Sequence, residues 1–279
     1  SVRAGIITHM LDKNKEQTAM TTICTMPDHI FLDTEYKQPA IHQHLAKHII
    51  ISLSDDLTVT FEGERKAVCK GIMIDANVPH TVAGRENRML VFLIDATSTV
   101  ARNMNHDPLA GEPFKVIDGR IVEQIREAYK ACLPDRFESE YAEFSEFVFC
   151  RLSLNGKSTI IPDPRVQTAL GFISQSADID GAMISRLCEN AHLSQSRFSH
   201  LFKEQTGVSL NSYLTLAKLR KAYQLMLEGE TITAAAMNAG FGTPSHFSAA
   251  SRKYLGIAAS DITGRCNVYD IKCQRLFES

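Results

Sequence analysis

The sequence lacks several features that would assign it to a class at once. No run approaches the roughly 18–20 consecutive apolar residues of a membrane-spanning helix, and no basic-then-apolar segment opens the sequence, so neither insertion nor export is expected. The seven cysteines are scattered and form no CxxC pair. That spacing argues against a zinc ribbon or a disulfide framework and favours a reducing cytoplasm. The net charge of −2 gives no overall sign of nucleic-acid binding.

The length and composition of the chain fit about two globular domains. The chain has 279 residues, 44% of them hydrophobic, which is enough for substantial cores. Its charge is divided unevenly, because residues 163–265 carry ten Lys and Arg against eight Asp and Glu, whereas residues 1–162 carry 18 against 22. This mild asymmetry permits DNA binding by the C-terminal part without requiring it.

The chain divides into five segments by pattern. Residues 1–110 contain short β-branched and aromatic runs separated by turn-forming residues, which is typical of a β-barrel or sandwich. Helical periodicity occupies residues 111–154. Glycine, serine and proline in residues 155–162 indicate a linker, and residues 163–265 are helical. Residues 266–279 have no clear period and are expected either to be loose or to cap the domain, with Cys266 and Cys273 as free thiols.

A helix-turn-helix pattern occurs twice in the helical C-terminal segment. Residues 184–191 match residues 232–239 at an offset of 48, and Phe198 and Gly207 match Phe247 and Gly256 at an offset of 49. Duplication with the same internal spacing predicts two units that can enter successive major grooves on one face of DNA. A single apolar helix pair would more often be part of an ordinary bundle.

Each unit provides a candidate recognition helix. In the first, Ser194 is an N-cap, Gly207 a left-handed C-cap, and Phe198 and Phe202 face the core. In the second, Thr243 caps a helix that begins with Pro244. The side chains left facing outward are the candidate DNA contacts. They are Gln195, Ser196, Ser199, His200 and Lys203 in the first unit, and Ser245, His246, Ala249, Arg252 and Lys253 in the second.

One long amphipathic helix is predicted between the two units. Leu219, Ala222, Leu225 and Met226 give its buried side. The basic residues Lys218, Arg220 and Lys221 are expected to be exposed on it. Such a helix would hold the two recognition helices at a fixed spacing.

Residues 163–265 resemble the DNA-binding domain of the AraC/XylS family of bacterial transcription regulators. The resemblance rests on the stretch from Leu193 to Gly207, on Lys218-Leu-Arg-Lys-Ala and on Ala239-Gly-Phe-Gly. It implies that both recognition helices enter adjacent major grooves. The positions that match the family's base readers are Ser196, Ser199, His200, Ser245, His246 and Ala249.

The second unit departs from the family pattern. Ser251 stands where an aromatic residue is usual, Ala259 where a proline is usual, and Thr263 near a usual arginine. We expect the missing aromatic residue to weaken core packing. Because Ala249 offers a base no polar group, the second recognition helix is expected to contribute mainly shape and phosphate contacts.

Residues 25–100 resemble, less closely, the cupin-like sensor domain of the same family. The resemblance rests on Ile41-His-Gln-His, Lys47-His48 and the stretch from Gly71 to Val82, and it implies a jelly-roll barrel that binds a small effector. His42, His44 and His80 occupy three places of a metal-cupin site, and His48 stands where its carboxylate would be. Since the carboxylate and the glycine pattern of metal cupins are missing, we expect a polar or anionic molecule near His42, His44 and His80, bound without metal or cofactor. Imidazoles that titrate near neutral pH would make its affinity pH-dependent.

An aromatic-rich stripe precedes the linker, and two interpretations of it remain. It either packs on its own domain or forms the seam of a homodimer, which a regulator that binds twofold DNA needs; we favour the seam. The stripe consists of Phe137, Tyr141, Phe144, Val148 and Leu152.

The whole sequence therefore predicts an α+β chain with an N-terminal cupin-like barrel and a C-terminal all-α DNA-binding domain. The predicted function is that of a cytoplasmic, non-enzymatic transcription regulator, activator or repressor, with promoter DNA, RNA polymerase, a small effector and a second copy as its partners. The alternatives are a metal-dependent cupin enzyme joined to DNA-binding helices and a regulator that a protein partner switches without a ligand pocket.

Overall fold

The computed structural model describes residues 21–26, 28–35, 41–84, 88–132, 137–155, 163–176, 178–255 and 266–270. These ranges contain ten strands and nine α-helices. The strands are β1 (Thr21–Thr25), β2 (His29–Glu35), β3 (Lys47–Ser52), β4 (Leu57–Phe61), β5 (Lys66–Cys69), β6 (Gly71–Ile74), β7 (His80–Gly84), β8 (Arg88–Ile94), β9 (Phe114–Val116) and β10 (Cys266–Asp270). The helices are α1 (Thr99–His106), α2 (Gly119–Ala131), α3 (Phe137–Arg151), α4 (Pro164–Gln175), α5 (Met183–Ala191), α6 (Gln195–Thr206), α7 (Leu210–Leu227), α8 (Ile232–Asn238) and α9 (Pro244–Leu255). Among the described helices, none is long and apolar enough to cross a membrane.

The strands form two open sheets. Seven of them pair in the order β10-β1-β2-β8-β3-β6-β9, and the other three in the order β5-β4-β7. The prediction of a β-rich N-terminal domain is thus confirmed, but a closed barrel is wrong, because the described pairings leave each sheet with two edges. The sheets face each other across a shared apolar interior to which Ile30, Val59 and Val91 contribute.

The large sheet is buried on both faces. Side chains alternate along a strand, so in β8 Val91 and Leu93 point to the small sheet while Leu90 and Phe92 point the other way. All four are buried. This explains why the strands read as continuous apolar runs rather than as alternating ones.

Helices α1, α2 and α3 cover the outer face of the large sheet. Tyr141, Phe144, Val148 and Leu152 of α3 are buried there, and the Tyr141 hydroxyl lies 2.6 Å from Nε2 of His29 in β2. These four side chains therefore pack within their own domain. This is the second of the two interpretations of the stripe; from the sequence we had favoured the dimer seam. The side chain of Phe137, the fifth member of the stripe, lies outside the described part of the chain.

Two segment boundaries differ from the predicted ones. β9 pairs with β6, so the sheet domain extends beyond residue 110. β10 pairs in parallel with β1, from Thr21 opposite Cys266 to Thr25 opposite Asp270. The start of the C-terminal segment, which was predicted either to be loose or to cap the domain, is thus a strand on the edge of the N-terminal sheet. The predicted linker lies almost entirely outside the described residues, as does Cys273.

The C-terminal helices form two units on either side of α7. One apolar cluster joins α4, α5 and α6 to the start of α7 through residues such as Val166, Phe198 and Tyr213. Further along, Leu219 and Ala222 of α7 pack with α8 and α9, in a cluster that continues into the interior between the sheets. The second unit is therefore packed against the N-terminal domain.

The prediction that the basic residues of α7 are exposed is wrong. The Lys218 ammonium donates to the carbonyl of Gly240 at 2.7 Å, and Lys221 pairs with Asp178 at 3.1 Å. Arg220 pairs at 2.6 Å with Asp95, a buried carboxylate that follows β8. The three side chains are half-buried, and their polar partners hold α7 against neighbouring segments.

Replacing Phe144 with alanine should lower the free energy of unfolding by about 3–5 kcal/mol, because the truncation leaves a cavity beneath the sheet. Urea denaturation measures the change. Phe147→Ala, on the same helix, is the matched control: its side chain is 38% exposed, and we expect a change within about 0.5 kcal/mol. An unchanged unfolding free energy in Phe144→Ala, together with dissociation of a dimer in ultracentrifugation, would restore the seam interpretation.

Candidate nucleic-acid interface and histidine cluster

The first recognition helix, α6, begins and ends as predicted. The Ser194 hydroxyl accepts from the backbone N–H of Arg197, and Gly207 ends the helix with φ of 76°. Phe198 and Phe202 are fully buried, which fixes the direction of the opposite face. On that face Gln195, Ser196, His200 and Lys203 are exposed and Ser199 is half-buried.

The second recognition helix, α9, is built on the same plan. The Thr243 hydroxyl accepts from the backbone N–H of His246 at 3.1 Å, and Phe247 is fully buried. Ser245, His246, Ala249, Arg252 and Lys253 are exposed. The His246 ring meets the Phe241 ring edge-on at 5.5 Å, so this side chain has a packing partner as well as access to solvent.

The turns of the two units are equivalent. His192 in the first has φ of 52°, and Gly240 in the second has φ of 88°, at the offset of 48 found in the sequence. Glycine is needed at the second turn for a further reason: a Cβ at Gly240 would lie 2.6 Å from the carbonyl oxygen of Ile179. The first unit and the second thus touch through this backbone.

Ser251 does not leave the gap that its small side chain suggested. It is fully buried, and its hydroxyl is hydrogen-bonded to the hydroxyl of Tyr223 in α7. The Tyr223 ring also packs edge-on against Phe247, 5.6 Å away. An aromatic ring from α7 therefore fills the space in place of one on α9. The prediction that core packing is weakened here is wrong.

Basic residues near the recognition helices fall into two groups. Within the described part of the chain, no ion pair engages the side chains of Arg197, Lys203, Arg252 or Lys253, whereas Arg165, Arg186 and Arg220 each pair with an aspartate. Unpaired, exposed cations are the ones available to phosphates. Arg197 is an exposed residue of α6 that the sequence argument missed, although a basic residue near the start of a recognition helix was a usable signal.

Four histidines converge at the end of the interior between the two sheets. Alternation along the strands explains this: His48 shares the inner face of β3 with Ile50, and His80 shares the inner face of β7 with Val82. His42 pairs with His80 through two backbone hydrogen bonds of 3.0 and 2.9 Å, which places their side chains next to each other. We call His42, His44, His48 and His80 the histidine cluster.

The rings of the histidine cluster are in mutual contact. The centroid of His44 lies 4.5 Å from that of His42 and 5.0 Å from that of His48, and His48 lies 4.9 Å from His80. One ring nitrogen from each of His42, His44 and His80 lies within 4.8 Å of the others. His42 is half-buried, whereas the other three are buried.

Burial keeps three of these imidazoles neutral. It is the largest cause that lowers the pKa of His44 to about 3 and of His80 to about 4, and it holds that of His48 well below the usual value. The neighbouring imidazoles lower the pKa further, since a second positive charge in the cluster would be repelled. The expected titration between pH 5 and 8 is therefore wrong for His44 and His80.

Backbone carbonyls lie beside two of the rings. Nδ1 of His80 lies 2.8 Å from the carbonyl oxygen of Val78, and Nδ1 of His44 lies 3.4 Å from that of Lys253 in α9. A neutral imidazole that donates from Nδ1 keeps the lone pair on Nε2. The buried Nδ1 of His48 has no hydrogen-bond partner among the described residues.

Comparisons with known proteins agree with this architecture. The profile of a helix-turn-helix domain family matches residues 187–265. A protein named "Probable transcriptional regulator LumQ", from Photobacterium leiognathi, is 24% identical over 238 residues, 81% of this chain and 93% of its own. The arabinose operon regulatory protein of Escherichia coli is 30% identical over 105 residues, 37% of this chain and 36% of its own. The C-terminal part of the chain is thus similar to helix-turn-helix domains, and these two relatives are named as regulators.

A solved structure shares the fold of this chain. The crystal structure of apo ToxT from Vibrio cholerae, in a single-residue variant, has a TM-score of 0.55 over 85% of this chain and 97% of its own. Identity is 12%, so the likeness concerns the arrangement of the two domains and not their ligands. It supports the two-sheet N-terminal domain followed by helix-turn-helix units.

Replacing Gly240 with alanine should lower the free energy of unfolding by at least about 1–2 kcal/mol, the cost of a left-handed backbone for a residue with a Cβ. The contact with the Ile179 carbonyl adds to this cost. Gly242→Ala is the matched control, since nothing lies within 4 Å of a Cβ there. Thermal denaturation compares the variants, and equal stability of the two would show that this turn does not position α8 against α9.

Proposed function

We propose that this regulator binds promoter DNA in a sequence-specific manner through α6 and α9. The proposal rests on the exposed polar faces of these two helices, which lie on either side of one buried connecting helix. The two faces carry four cations that form no ion pair with a described residue. Eighteen helical residues in α7 span about 27 Å, and successive major grooves on one face of DNA are about 34 Å apart. A rigid connector of this length suits two neighbouring grooves.

The two helices contribute unequally in this proposal. Gln195, Ser196, Ser199 and His200 of α6 can accept from or donate to base edges, and Lys203 reaches phosphates. In α9, Ser245 and His246 are the base contacts, while Arg252 and Lys253 bind the backbone. Ala249 supplies only a methyl group.

The N-terminal domain is proposed to regulate this DNA binding through a ligand at the histidine cluster. Its route to the recognition helices is direct: Arg220 of α7 pairs with Asp95, and His44 approaches the carbonyl of Lys253 in α9. A ligand that fits one arrangement of these contacts better than another shifts the population of DNA-competent molecules. We further propose that the protein acts as a homodimer, recruits or excludes RNA polymerase, and catalyses no reaction.

Replacing His200 with alanine should relax the preference for one or two base pairs, at a cost of about 1–3 kcal/mol in binding free energy. Gln195→Ala should behave in the same way. Lys203→Ala should weaken all sequences alike and reduce the salt dependence of binding, because a phosphate contact carries no sequence information. Fluorescence anisotropy with the full chain, a fragment of the promoter upstream of its own gene and single-base variants of that fragment measures these effects.

A substitution on the second helix supplies the comparison. Ala249→Ser should change affinity less than the α6 substitutions, since no base contact is lost. Uniform weakening by His200→Ala would contradict its role as a base reader. Equal affinity of the wild-type chain for promoter and unrelated DNA would contradict the proposed sequence-specific function.

A further inference from the structure

We propose that His42, His44 and His80 bind a divalent transition-metal ion and that this ion is the regulatory ligand of the N-terminal domain. The inference departs from the sequence expectation of a metal-free site. It rests on the proposed function only in its second half, the coupling to DNA binding. The site itself rests on the geometry of the side chains.

The spacing of the ring nitrogens is close to what a metal ion requires. Zinc–imidazole distances are about 2.0–2.1 Å, so two nitrogens on one tetrahedral ion lie about 3.4 Å apart. One nitrogen from each of the three histidines already lies within 4.8 Å of the others, and small side-chain rotations close the remaining gap. Among the described residues, this is the one group of three or more His, Cys, Asp or Glu side chains that could hold a metal ion.

The surroundings of the ligands match those of metal-binding histidines. Such histidines donate their second ring N–H to a carbonyl or carboxylate, which fixes ring orientation and raises ligand basicity. Nδ1 of His80 and Nδ1 of His44 occupy this position against the carbonyls of Val78 and Lys253. The lone pairs on their Nε2 atoms are then directed elsewhere and remain available.

His48 provides an independent sign that the cluster is built for a ligand. It is 3% exposed, its Nδ1 meets no hydrogen-bond partner in the part of the chain that the structure describes, and its ring packs against both His44 and His80. A buried polar atom without a partner costs about 1–3 kcal/mol. An ion beside it, with the water molecules that the ion binds, offers this nitrogen a polar neighbour.

The chemistry of the donors selects the class of ion. Imidazole nitrogen suits zinc, copper, iron and nickel, whereas calcium and magnesium take oxygen ligands. The three-histidine group contains no carboxylate or thiolate. Burial keeps His44 and His80 neutral, which is the form that binds metal.

The position of His44 links the site to DNA recognition. Its contact with Lys253 is long for a hydrogen bond, at 3.4 Å. A metal ion on the opposite nitrogen makes the Nδ1–H more acidic and therefore a stronger donor. Metal binding thus tightens the attachment of the C-terminal end of α9 to the N-terminal domain, next to the proposed phosphate contacts Arg252 and Lys253.

The first experiment measures metal binding by the full chain. Protein freed of metal with a chelator is incubated with Zn²⁺ and separated from free ion, and its metal content is determined; Co²⁺, whose visible absorption reports coordination, replaces Zn²⁺ in parallel. We expect one ion per chain. The absorption spectrum of the Co²⁺-loaded protein should show an ion that is coordinated by nitrogen and has a low coordination number. Less than half an ion per chain at saturating Zn²⁺ would overturn the proposal.

Variants assign the binding to the cluster. His42→Ala removes a half-buried ligand, and His80→Gln keeps a polar side chain of similar size; each should weaken Zn²⁺ binding at least about 10–100-fold, as loss of groups around a metal does. His106→Ala, which replaces an exposed histidine on α1, is the control and should bind normally. Circular dichroism establishes that each variant is folded. Full binding by folded His42→Ala and His80→Gln proteins would overturn the proposal.

The second experiment tests the coupling. Anisotropy titrations on the promoter fragment are repeated with metal-free and Zn²⁺-loaded protein, and we expect the Kd to change at least about 5-fold, the lower end of typical allosteric coupling. His42→Ala should remove this difference. Stoichiometric zinc with an unchanged Kd would overturn the regulatory role of the ion. Stoichiometric zinc in a protein that binds no promoter DNA in either form would instead contradict the proposed function, with the metal site intact.

Discussion

The burial of α7 is the constraint on which both halves of this protein depend. Its first turns complete the core of the first helix-turn-helix unit through Tyr213 and Leu214. Leu219, Ala222 and Tyr223 then form the centre of the second unit. Because one straight helix belongs to both cores, neither unit can turn relative to the other without opening a packed interior.

The same helix carries the polar contact between the domains. Asp95 is buried and already accepts from the backbone and the hydroxyl of Thr97 at 2.8 Å, so the Arg220 guanidinium meets a carboxylate that is held in place. A pair of this kind fixes geometry more than it stabilises, since both charges lose solvation. The apolar cluster that runs from the sheets into α7, α8 and α9 supplies the stabilising area.

The two recognition helices therefore differ in what can act on them. α6 packs on α4 and α5, away from the sheets, and its outer face carries most of the polar side chains suited to bases. In the last turn of α9 the Lys253 carbonyl lies against His44. The histidine cluster is thus in direct contact with the second of the two helices, the one for which we propose fewer base contacts. In the proposed function, this division lets a ligand adjust affinity while the first helix preserves sequence preference.

The sequence by itself determined the features that depend on near neighbours along the chain. The duplicated units, the caps at Ser194 and Thr243 and the glycine at 207 follow from local hydrogen bonding and backbone conformation, so pattern alone located α6 and α9 closely. The β-rich character of the N-terminal domain was equally readable, because short β-branched runs between turns are a local signal.

Only the tertiary structure decided which side chains meet across the chain. The stripe from Tyr141 to Leu152 is an apolar helix face in any arrangement, and the sequence does not say whether its partner is a sheet of the same chain or a second copy. The three cations of α7 read as exposed until Asp95, Asp178 and Gly240 are brought beside them. Ser251 reads as a gap until Tyr223, 28 residues earlier, fills it. In the histidine cluster, alternation along the strands predicts which face of the sheet each side chain lies on. The packing of the two sheets sets the distances between the rings and the burial that makes the imidazoles neutral. Those distances and that burial determine what the cluster can bind.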